Sequence, residues 1–366
     1  MVTPLDGIRI VELGAIGPVT HAMMIMADLG ADVVRVGRPA GDAPFADIED
    51  MTMRGRRQFE ADLKSAEGRR SVLELVSHAD VLVEGNRPGI CEKLGVGPED
   101  CARVNPSLIY ARMTGWGQTG PLAERAGHDI NYLSVTGALD AIGHPGGPPV
   151  VPLNLVGDFG GGSMFLVTGI LSALLERYRT GQGTVLDVAM VDGITALEQP
   201  VLSMLETGGW REARGSNLID GGAPFYGVYE CADGRYVAVG ALEPQFFAEL
   251  IRGLGLDDGW LPVQADRTRW PVLRELLADV FKSRSRDEWA RLFQGTDACV
   301  TPVLSFSEAR SHPHLASRGT VRTGDSGMPV AAPAPRRSGE QPDPLPSALQ
   351  RVEYGAILAE WREKES

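Results

Sequence analysis

Residues 8–18 read Ile-Arg-Ile-Val-Glu-Leu-Gly-Ala-Ile-Gly-Pro. The first six of these residues are rich in β-branched side chains, which predicts a strand. The proline at position 18 suits the first turn of a helix, which we expect to run to residue 29, and a second strand is expected at 32–36. A strand, a glycine-containing turn, a helix and another strand in this order are typical of one βαβ unit of a parallel sheet.

The same alternation continues through the first half of the chain. We expect further strands at 59–63, 79–83, 108–113 and 184–188, and helices at 69–76, 98–104 and 161–178. Successive βα units build a parallel sheet that is covered by helices on both faces. The sequence therefore predicts an α/β fold with a doubly wound parallel sheet.

The pattern changes near residue 225, where a hairpin at 226–239 and helices at 244–253 and 270–281 are expected. A chain of 366 residues suits two domains. We expect the following order: a large domain over 1–205, a linker over 206–224, a small α+β domain over 225–320, a Pro-rich linker over 321–346, and a C-terminal helix over 347–366 that returns to the large domain.

The composition excludes several classes of partner. The chain has 35 Lys and Arg against 48 Asp and Glu, a formal net charge of −13, which disfavours nucleic acid. The apolar stretches near 164–175 are interrupted by Gly and Ser and are judged too short to span a bilayer, so no membrane association is expected. Without a signal-peptide pattern or Cys-x-x-Cys spacing, we expect a cytoplasmic protein with reduced thiols and no metal site. The cysteines are Cys91, Cys101, Cys231 and Cys299.

The turn after the first strand does not fit dinucleotide binding. Its spacing is Gly-x-x-Gly-Pro rather than Gly-x-Gly-x-x-Gly, and the second strand ends near Arg35 and Arg38 rather than at an acidic residue. A second basic group comprises Arg54, Arg56 and Arg57. Such arginines can simply form a solvated surface, but their place near strand ends also suits a ligand with several phosphates.

Three titratable residues are candidates for chemistry. His128 follows a glycine at the expected start of a helix, where it could act in proton transfer or only cap the helix. Asp158 precedes three glycines that allow close approach to its carboxylate, and its alternative role is a helix cap. Glu243 ends a strand of the second domain, and without further information a plain surface carboxylate is the favoured interpretation.

Together these stretches resemble the family III CoA-transferases, and within them the α-methylacyl-CoA racemase branch. The resemblance covers nearly the whole chain, and its sharpest matches are residues 110–121, Tyr-Ala-Arg-Met-Thr-Gly-Trp-Gly-Gln-Thr-Gly-Pro, and residues 127–132, Gly-His-Asp-Ile-Asn-Tyr. It implies a homodimer of two interlocked rings, each with a Rossmann-like large domain and a small domain. The active site would lie between the large domain of one subunit and the small domain of the other.

The resemblance also implies roles for individual residues. Asp158 matches the aspartate that is a nucleophile in the transferases and an acid/base in the racemases. His128 matches the racemase base, and Glu243 matches the partner carboxylate that orients this histidine. The positions expected to bind the CoA part of the substrate are Arg38, Arg54, Arg56, Arg87, Lys93, Met113 and Gly115. The family often has arginine at the position of Lys93, which puts a bidentate phosphate contact there in doubt.

Inversion of the α-carbon of a thioester suits this set of residues. One proton leaves from one face and another returns from the opposite face, so two acid/base groups must flank the carbon. His128 and Asp158 would be these groups, and the N–H of Asp129 would stabilise the enolate oxygen at a helix N-terminus. We expect a substrate of the 2-methyl-branched acyl-CoA class, with Met164, Met190 and Met204 as candidates for a flexible apolar wall. No metal or redox cofactor is expected.

Two other functions compete with this one. A CoA-transferase would move CoA between carboxylic acids through an aspartyl thioester on Asp158. His128 argues against it, because a transferase needs a nucleophile more than a second base. A non-catalytic CoA-binding protein or an NAD-dependent protein is a weaker alternative, because the glycine fingerprint is absent and the three candidate residues would be coincidences.

Overall fold

A computed structural model describes residues 3–39, 51–324, 327–336 and 348–363 of the chain. Its strands are β1 Arg9–Leu13, β2 Asp32–Gly37, β3 Arg56–Glu60, β4 Val81–Glu84, β5 Ile109–Thr114, β6 Thr184–Ala189, β7 Tyr226–Glu230, β8 Tyr236–Gly240, β9 Val300–Pro302, β10 Val321–Thr323, β11 Pro329–Ala331 and β12 Gln350–Arg351. Its α-helices are α1 Pro18–Asp28, α2 Ala66–Val76, α3 Ile90–Lys93, α4 Pro98–Val104, α5 Asp129–Thr136, α6 Ala138–Ala141, α7 Met164–Thr180, α8 Met190–Glu206, α9 Pro244–Gly253, α10 Trp270–Phe281, α11 Arg286–Phe293, α12 Phe306–Ala309, α13 Pro313–Arg318 and α14 Tyr354–Glu363. A π-helical stretch, Val156–Ser163, runs directly into α7.

Seven strands of the described chain form one parallel sheet, in the order β12-β3-β2-β1-β4-β5-β6. The expected α/β fold with a parallel sheet is confirmed. The strand order changes direction between β1 and β4: β2 and β3 follow on one side of β1, whereas β4, β5 and β6 follow on the other. Ligands of doubly wound sheets bind at the carboxyl ends of the strands at this switch point.

The chain forms two compact units. The first comprises residues 1–136, 152–198 and 319–366, and the second comprises 137–151 and 199–318. The domain limits expected from the sequence stay a prediction, and they differ from these units over 137–151, 199–205 and 319–320. The described part of the second unit contains the antiparallel sheet β7-β8-β9 and a core of aromatic side chains that includes Phe225, Phe247 and Trp289.

One face of the large sheet is closed by helix α14. Ile357, Leu358 and Trp361 of this helix are buried among apolar side chains of β1, β2 and α2. The Trp361 indole N–H also donates to Asp32 Oδ2 at 2.8 Å. The C-terminal helix therefore belongs to the first unit, although it begins at Tyr354 rather than at residue 347.

Several expected elements differ in extent from the observed ones. The strand expected at 59–63 lies at Arg56–Glu60, and the helix expected at 161–178 begins as an α-helix at Met164. The connector expected to be extended contains the short hairpin β10-β11, and the strand β12 lies within the segment expected to be the C-terminal helix. Residues 325–326 and 337–346 of that connector and residues 347 and 364–366 of the expected last helix lie outside the described residues.

The apolar helix before β6 is longer than the sequence suggests. Among the described residues, Leu153–Thr180 is one helical stretch that is long and apolar enough to cross a bilayer by those two measures alone. Core helices of soluble proteins meet the same measures, so this is weak evidence for a membrane span. Leu166, Val167 and Ile170 of this stretch are buried in the protein.

Candidate active site

A cavity of about 300 Å³ lies at the switch point of the large sheet. It is lined by Ile16 and Gly17 after β1, by residues 85–87 after β4, and by residues 113–116 at the end of β5. His128, Tyr132 and Asp158 also line it. Every residue that lines this cavity belongs to the first unit. The two expected acid/base residues therefore share one cavity.

His128 occupies the position just before helix α5. Its backbone N–H donates to Asn131 Oδ1 at 3.0 Å, and its carbonyl oxygen accepts from Asn131 N at 2.8 Å. The side chain of Asn131 therefore closes the first turn, which is the task that a helix cap performs. The imidazole of His128 is left exposed at the cavity, so helix capping does not account for this histidine.

Asp158 extends into the same cavity from the π-helical stretch. Burial raises the pKa of its carboxyl group above the usual range. A hydrogen bond from Asn154 Nδ2 to Asp158 Oδ2, 3.3 Å long, opposes this rise in pKa, the Asp129 carboxylate adds to it, and His128 opposes it. A carboxyl group with a raised pKa can take up and release a proton nearer neutral pH, as a general acid/base must.

Asp129 opens α5 directly after His128. Its N–H belongs to the first turn of the helix, and none of the described residues accepts a hydrogen bond from it. The N–H is thus available at a helix N-terminus, where it can stabilise a developing oxyanion. The carboxylate of Asp129 is 8% exposed and turns away to the π-helical stretch, where Oδ1 accepts from Asp158 N at 2.7 Å.

Glu243 lies in the second unit, at the N-cap of α9. Its side chain is exposed and makes no capping hydrogen bond. The carboxylate is therefore not used by its own helix.

The expectation that Arg54 and Arg56 bind CoA is wrong. The Arg54 guanidinium, 3% exposed, donates from Nε and Nη2 to the Asp28 carboxylate at 2.9 and 2.5 Å. Arg56, 1% exposed, pairs with the buried Glu12 at 3.0 Å. Both guanidinium groups form ion pairs inside the protein with carboxylates that are distant in the sequence. The spacing of the arginines in the sequence does not reveal these partners.

The other cationic candidates are exposed. Arg87 lines the cavity, Arg38 follows the carboxyl end of β2, and Lys93 ends helix α3 outside the cavity lining. Arg125, which the sequence analysis did not single out, also lines the cavity and is exposed. Arg125 lies three residues before His128, so its position in the sequence could have indicated a place at the cavity.

The remaining candidates form the wall of the cavity. Met113 is buried at the end of β5, and Gly115 lies under the ring of Tyr132, where a Cβ would come within 1.9 Å of a ring carbon. Tyr132 in turn meets Trp116 edge to face, with ring centroids 4.8 Å apart. Glycine is thus required at position 115 so that the ring can approach the backbone. Of the three expected methionines, Met190 lines this cavity.

Among the described residues there is no group of three His, Cys, Asp or Glu side chains arranged to hold a metal ion.

Comparison with known proteins identifies the family. The chain is 45% identical to the alpha-methylacyl-CoA racemase of Mus musculus over 356 residues, which cover 97% of this chain and 92% of that protein. It is 45% identical to the enzyme of the same name from Homo sapiens over 90% of this chain and 86% of that protein. The crystal structure of a CAIB/BAIF family protein from Brucella suis superposes with a TM-score of 0.81 at 28% identity, covering 98% of this chain and 99% of that one. The model of CoA-transferase family III matches residues 5–348. The chain therefore belongs to CoA-transferase family III.

Proposed function

We propose that the protein is an acyl-CoA racemase that inverts the α-carbon of 2-methyl-branched acyl-CoA thioesters. The observation that carries this proposal is that His128 and Asp158 line one cavity from two separate chain segments. The 45% identity to the two racemases supports it. Both observations favour an isomerase over the other activities of the family.

The proposed reaction moves two protons and changes no oxidation state. One of the two residues, as a base, takes the α-proton, and the electron pair of the C–H bond becomes the enolate of the thioester. The enolate oxygen receives a hydrogen bond from the Asp129 N–H at the start of α5. The other residue, as an acid, gives its proton to the opposite face of the α-carbon. No metal or redox cofactor takes part in these steps.

We propose that the CoA part of the substrate is bound by Arg38, Arg87 and Lys93, with Met113 and Gly115 in the cavity wall. Arg87 is exposed at the cavity, so a charge is present where an acyl-CoA would enter. Because the chain carries a net charge of −13, such local cations are needed to attract a polyanion.

We further propose that the active form is a homodimer in which Glu243 of the partner subunit orients His128. Large apolar side chains of the first unit, among them Leu175, Val185 and Leu197, are at least half exposed. These side chains are available for burial in a subunit interface. The unused carboxylate of Glu243 also supports a role outside its own helix.

Incubation of the pure protein with a (2S)-2-methylacyl-CoA in deuterium oxide tests the function. We expect inversion to a mixture of epimers, with one α-deuterium in each inverted molecule. Hydroxylamine should trap no aspartyl-CoA thioester. Transfer of CoA to a free carboxylic acid, with a trapped thioester at Asp158 and no inversion, would favour the transferase alternative.

A further inference from the structure

The carboxylate of Asp129 joins the two chain segments that carry the proposed bases. Asp129 directly follows His128 and opens α5. Its Oδ1 accepts from the backbone N–H of Asp158 at 2.7 Å, and the N–H of Gly157 also donates to this carboxylate. One side chain adjacent to the first base therefore holds the backbone of the second.

The sequence at position 157 fits this contact. A Cβ built on Gly157 would come within 2.3 Å of Asp129 Oδ1, which real Cβ atoms essentially never do. Only glycine therefore allows the carboxylate to reach the two successive N–H groups. A buried carboxylate is costly unless it is hydrogen-bonded, and these two N–H groups offset part of that cost.

We propose that Asp129 is a positioning residue: its carboxylate holds the backbone of Asp158 so that the side chains of Asp158 and His128 lie on opposite sides of the α-carbon of the substrate. This inference rests on the proposed racemase function and goes beyond the role of the Asp129 backbone N–H. The two roles are separable, because a substitution of the side chain leaves the N–H in place. Loss of the carboxylate releases the backbone of Asp158, whereas His128 keeps its own cap, Asn131.

The proposal predicts an asymmetric defect. Proton removal by Asp158 should suffer from misplacement of this residue, and a misplacement of about 1 Å can lower a rate by about 100-fold. Proton removal by His128 should change little. A merely structural role for Asp129 would instead lower both exchange rates by the same factor.

The experiment measures α-deuterium exchange for each enantiomer of a 2-methylacyl-CoA in wild type, Asp129→Ala and Asp129→Asn. The Asp158→Asn variant identifies which enantiomer each base serves, because exchange from the enantiomer that Asp158 deprotonates is lost there. We expect Asp129→Ala to lose exchange from this same enantiomer by about 100-fold and to keep the other within about threefold. Asp129→Asn retains an oxygen acceptor and should keep both rates within about tenfold.

Asp80→Ala is the matched control. Asp80 Oδ2 likewise accepts a hydrogen bond from a backbone N–H, that of Arg9, at 2.7 Å. Asp80 directly precedes β4, so it lies at the amino ends of the strands, whereas the cavity lies at their carboxyl ends. Its loss should leave the ratio of the two exchange rates unchanged.

Equal losses for the two enantiomers in folded Asp129→Ala, or no loss in either, would overturn the positioning role. Should Asp129→Ala fail to fold, Gly157→Ala and Asp129→Asn carry the test, and a symmetric defect in Gly157→Ala overturns the proposal. Wild-type inversion in the same series tests the proposed function separately. If the wild type does not invert the substrate, the racemase proposal fails. If the wild type inverts it but Asp129→Ala loses exchange equally from both enantiomers, only the role of Asp129 is contradicted.

Discussion

Asp158 is half-buried, and among the described residues its carboxylate accepts one long side-chain hydrogen bond, from Asn154. Burial raises the pKa of its carboxyl group, and the 3.3 Å hydrogen bond from Asn154 limits that rise because it stabilises the ionised form. These two effects, together with the charges of Asp129 and His128, set the pKa of Asp158 and so the pH range in which it can act as a base. Asn154 is exposed, so it can be replaced without opening the core.

Asn154→Ala should therefore raise the pKa of Asp158 further. As a base Asp158 must be ionised, so kcat/KM for the enantiomer that it deprotonates falls as the pH drops through this pKa. The acid limb of that profile should move to higher pH in Asn154→Ala, as measured by initial rates across pH. An unchanged or downward-shifted limb would contradict the effect assigned to Asn154.

Arg54 is buried and Arg87 is exposed at the cavity, so substitutions of the two arginines separate effects on stability from effects on substrate binding. Arg54→Ala leaves Asp28 buried without its partner, which should lower the free energy of unfolding by about 3–5 kcal/mol. Arg87→Ala removes an exposed cation at the cavity and should raise KM about tenfold with little change in kcat or stability. Urea unfolding and steady-state kinetics of both variants check this. A raised KM in folded Arg54→Ala would restore a CoA-binding role for it.

At the scale of single elements, the segment that carries Asp158 depends on a close backbone crossing. A Cβ at Gly193 of α8 would come within 1.8 Å of the carbonyl oxygen of Gly161 in the π-helical stretch. Leu153, just before this stretch, has a φ of 62°, which is uncommon for a leucine. Such irregular backbone is often found at functional sites.

Gly193→Ala should force these two segments apart. We expect a loss of about 1–3 kcal/mol in the free energy of unfolding, because the added methyl group meets backbone that cannot move aside. Gly169→Ala in α7 is the control. The nearest atom there is 3.5 Å from an ideal Cβ, and alanine should stabilise that helix by about 0.5–1 kcal/mol. Urea unfolding measures the stability of the two variants. Similar free energies of unfolding would contradict a close backbone contact between Gly193 and Gly161.

Regular elements could be predicted from the sequence because their signals are local. The strand after residue 8, the helix that begins at Pro18 and the hairpin at 226–240 depend on β-branched runs, proline and turn residues. The π-helical stretch was not predicted, and its close approach to Gly193 of α8 joins residues that are far apart in the sequence. The short strand β12 also escaped prediction, because pairing with β3 alone makes it a strand.

The same distinction explains the candidate site. The pairing of His128 with Asp158 could be predicted from the family resemblance, whereas their positions in the sequence alone left helix capping open for both. Arg54 and Arg56 were misplaced because their partners, Asp28 and Glu12, become neighbours only in the folded chain. The hydrogen bond from Asp158 N to Asp129 was not predicted for the same reason.

At the scale of the whole molecule, the proposed site needs two subunits. Glu243 lies in the second unit, whereas every residue lining the cavity lies in the first. The proposed dimer assigns Glu243 of the partner subunit to each His128. A site of this kind is complete only when both subunits contribute intact residues.

Hybrid dimers test this assignment. Refolding a mixture of His128→Ala and Glu243→Ala proteins should give hybrids with one intact site and return up to about half of the wild-type activity per hybrid, a ceiling that follows from one working site in two. Native mass spectrometry measures the hybrid fraction. Hybrids that form without any return of activity would contradict a Glu243 that acts across the subunit interface.

The central claim is that His128 and Asp158 act on opposite faces of the α-carbon. Its most direct test is α-deuterium exchange from each pure enantiomer of a 2-methylacyl-CoA in His128→Ala and Asp158→Asn. Each variant should lose racemisation, since inversion needs both residues, yet the surviving base can still return a deuteron to the face that lost the proton. We predict residual exchange with opposite enantiomeric preference in the two variants. The same preference in both would contradict the account, because the two residues would then not lie on opposite faces of the carbon.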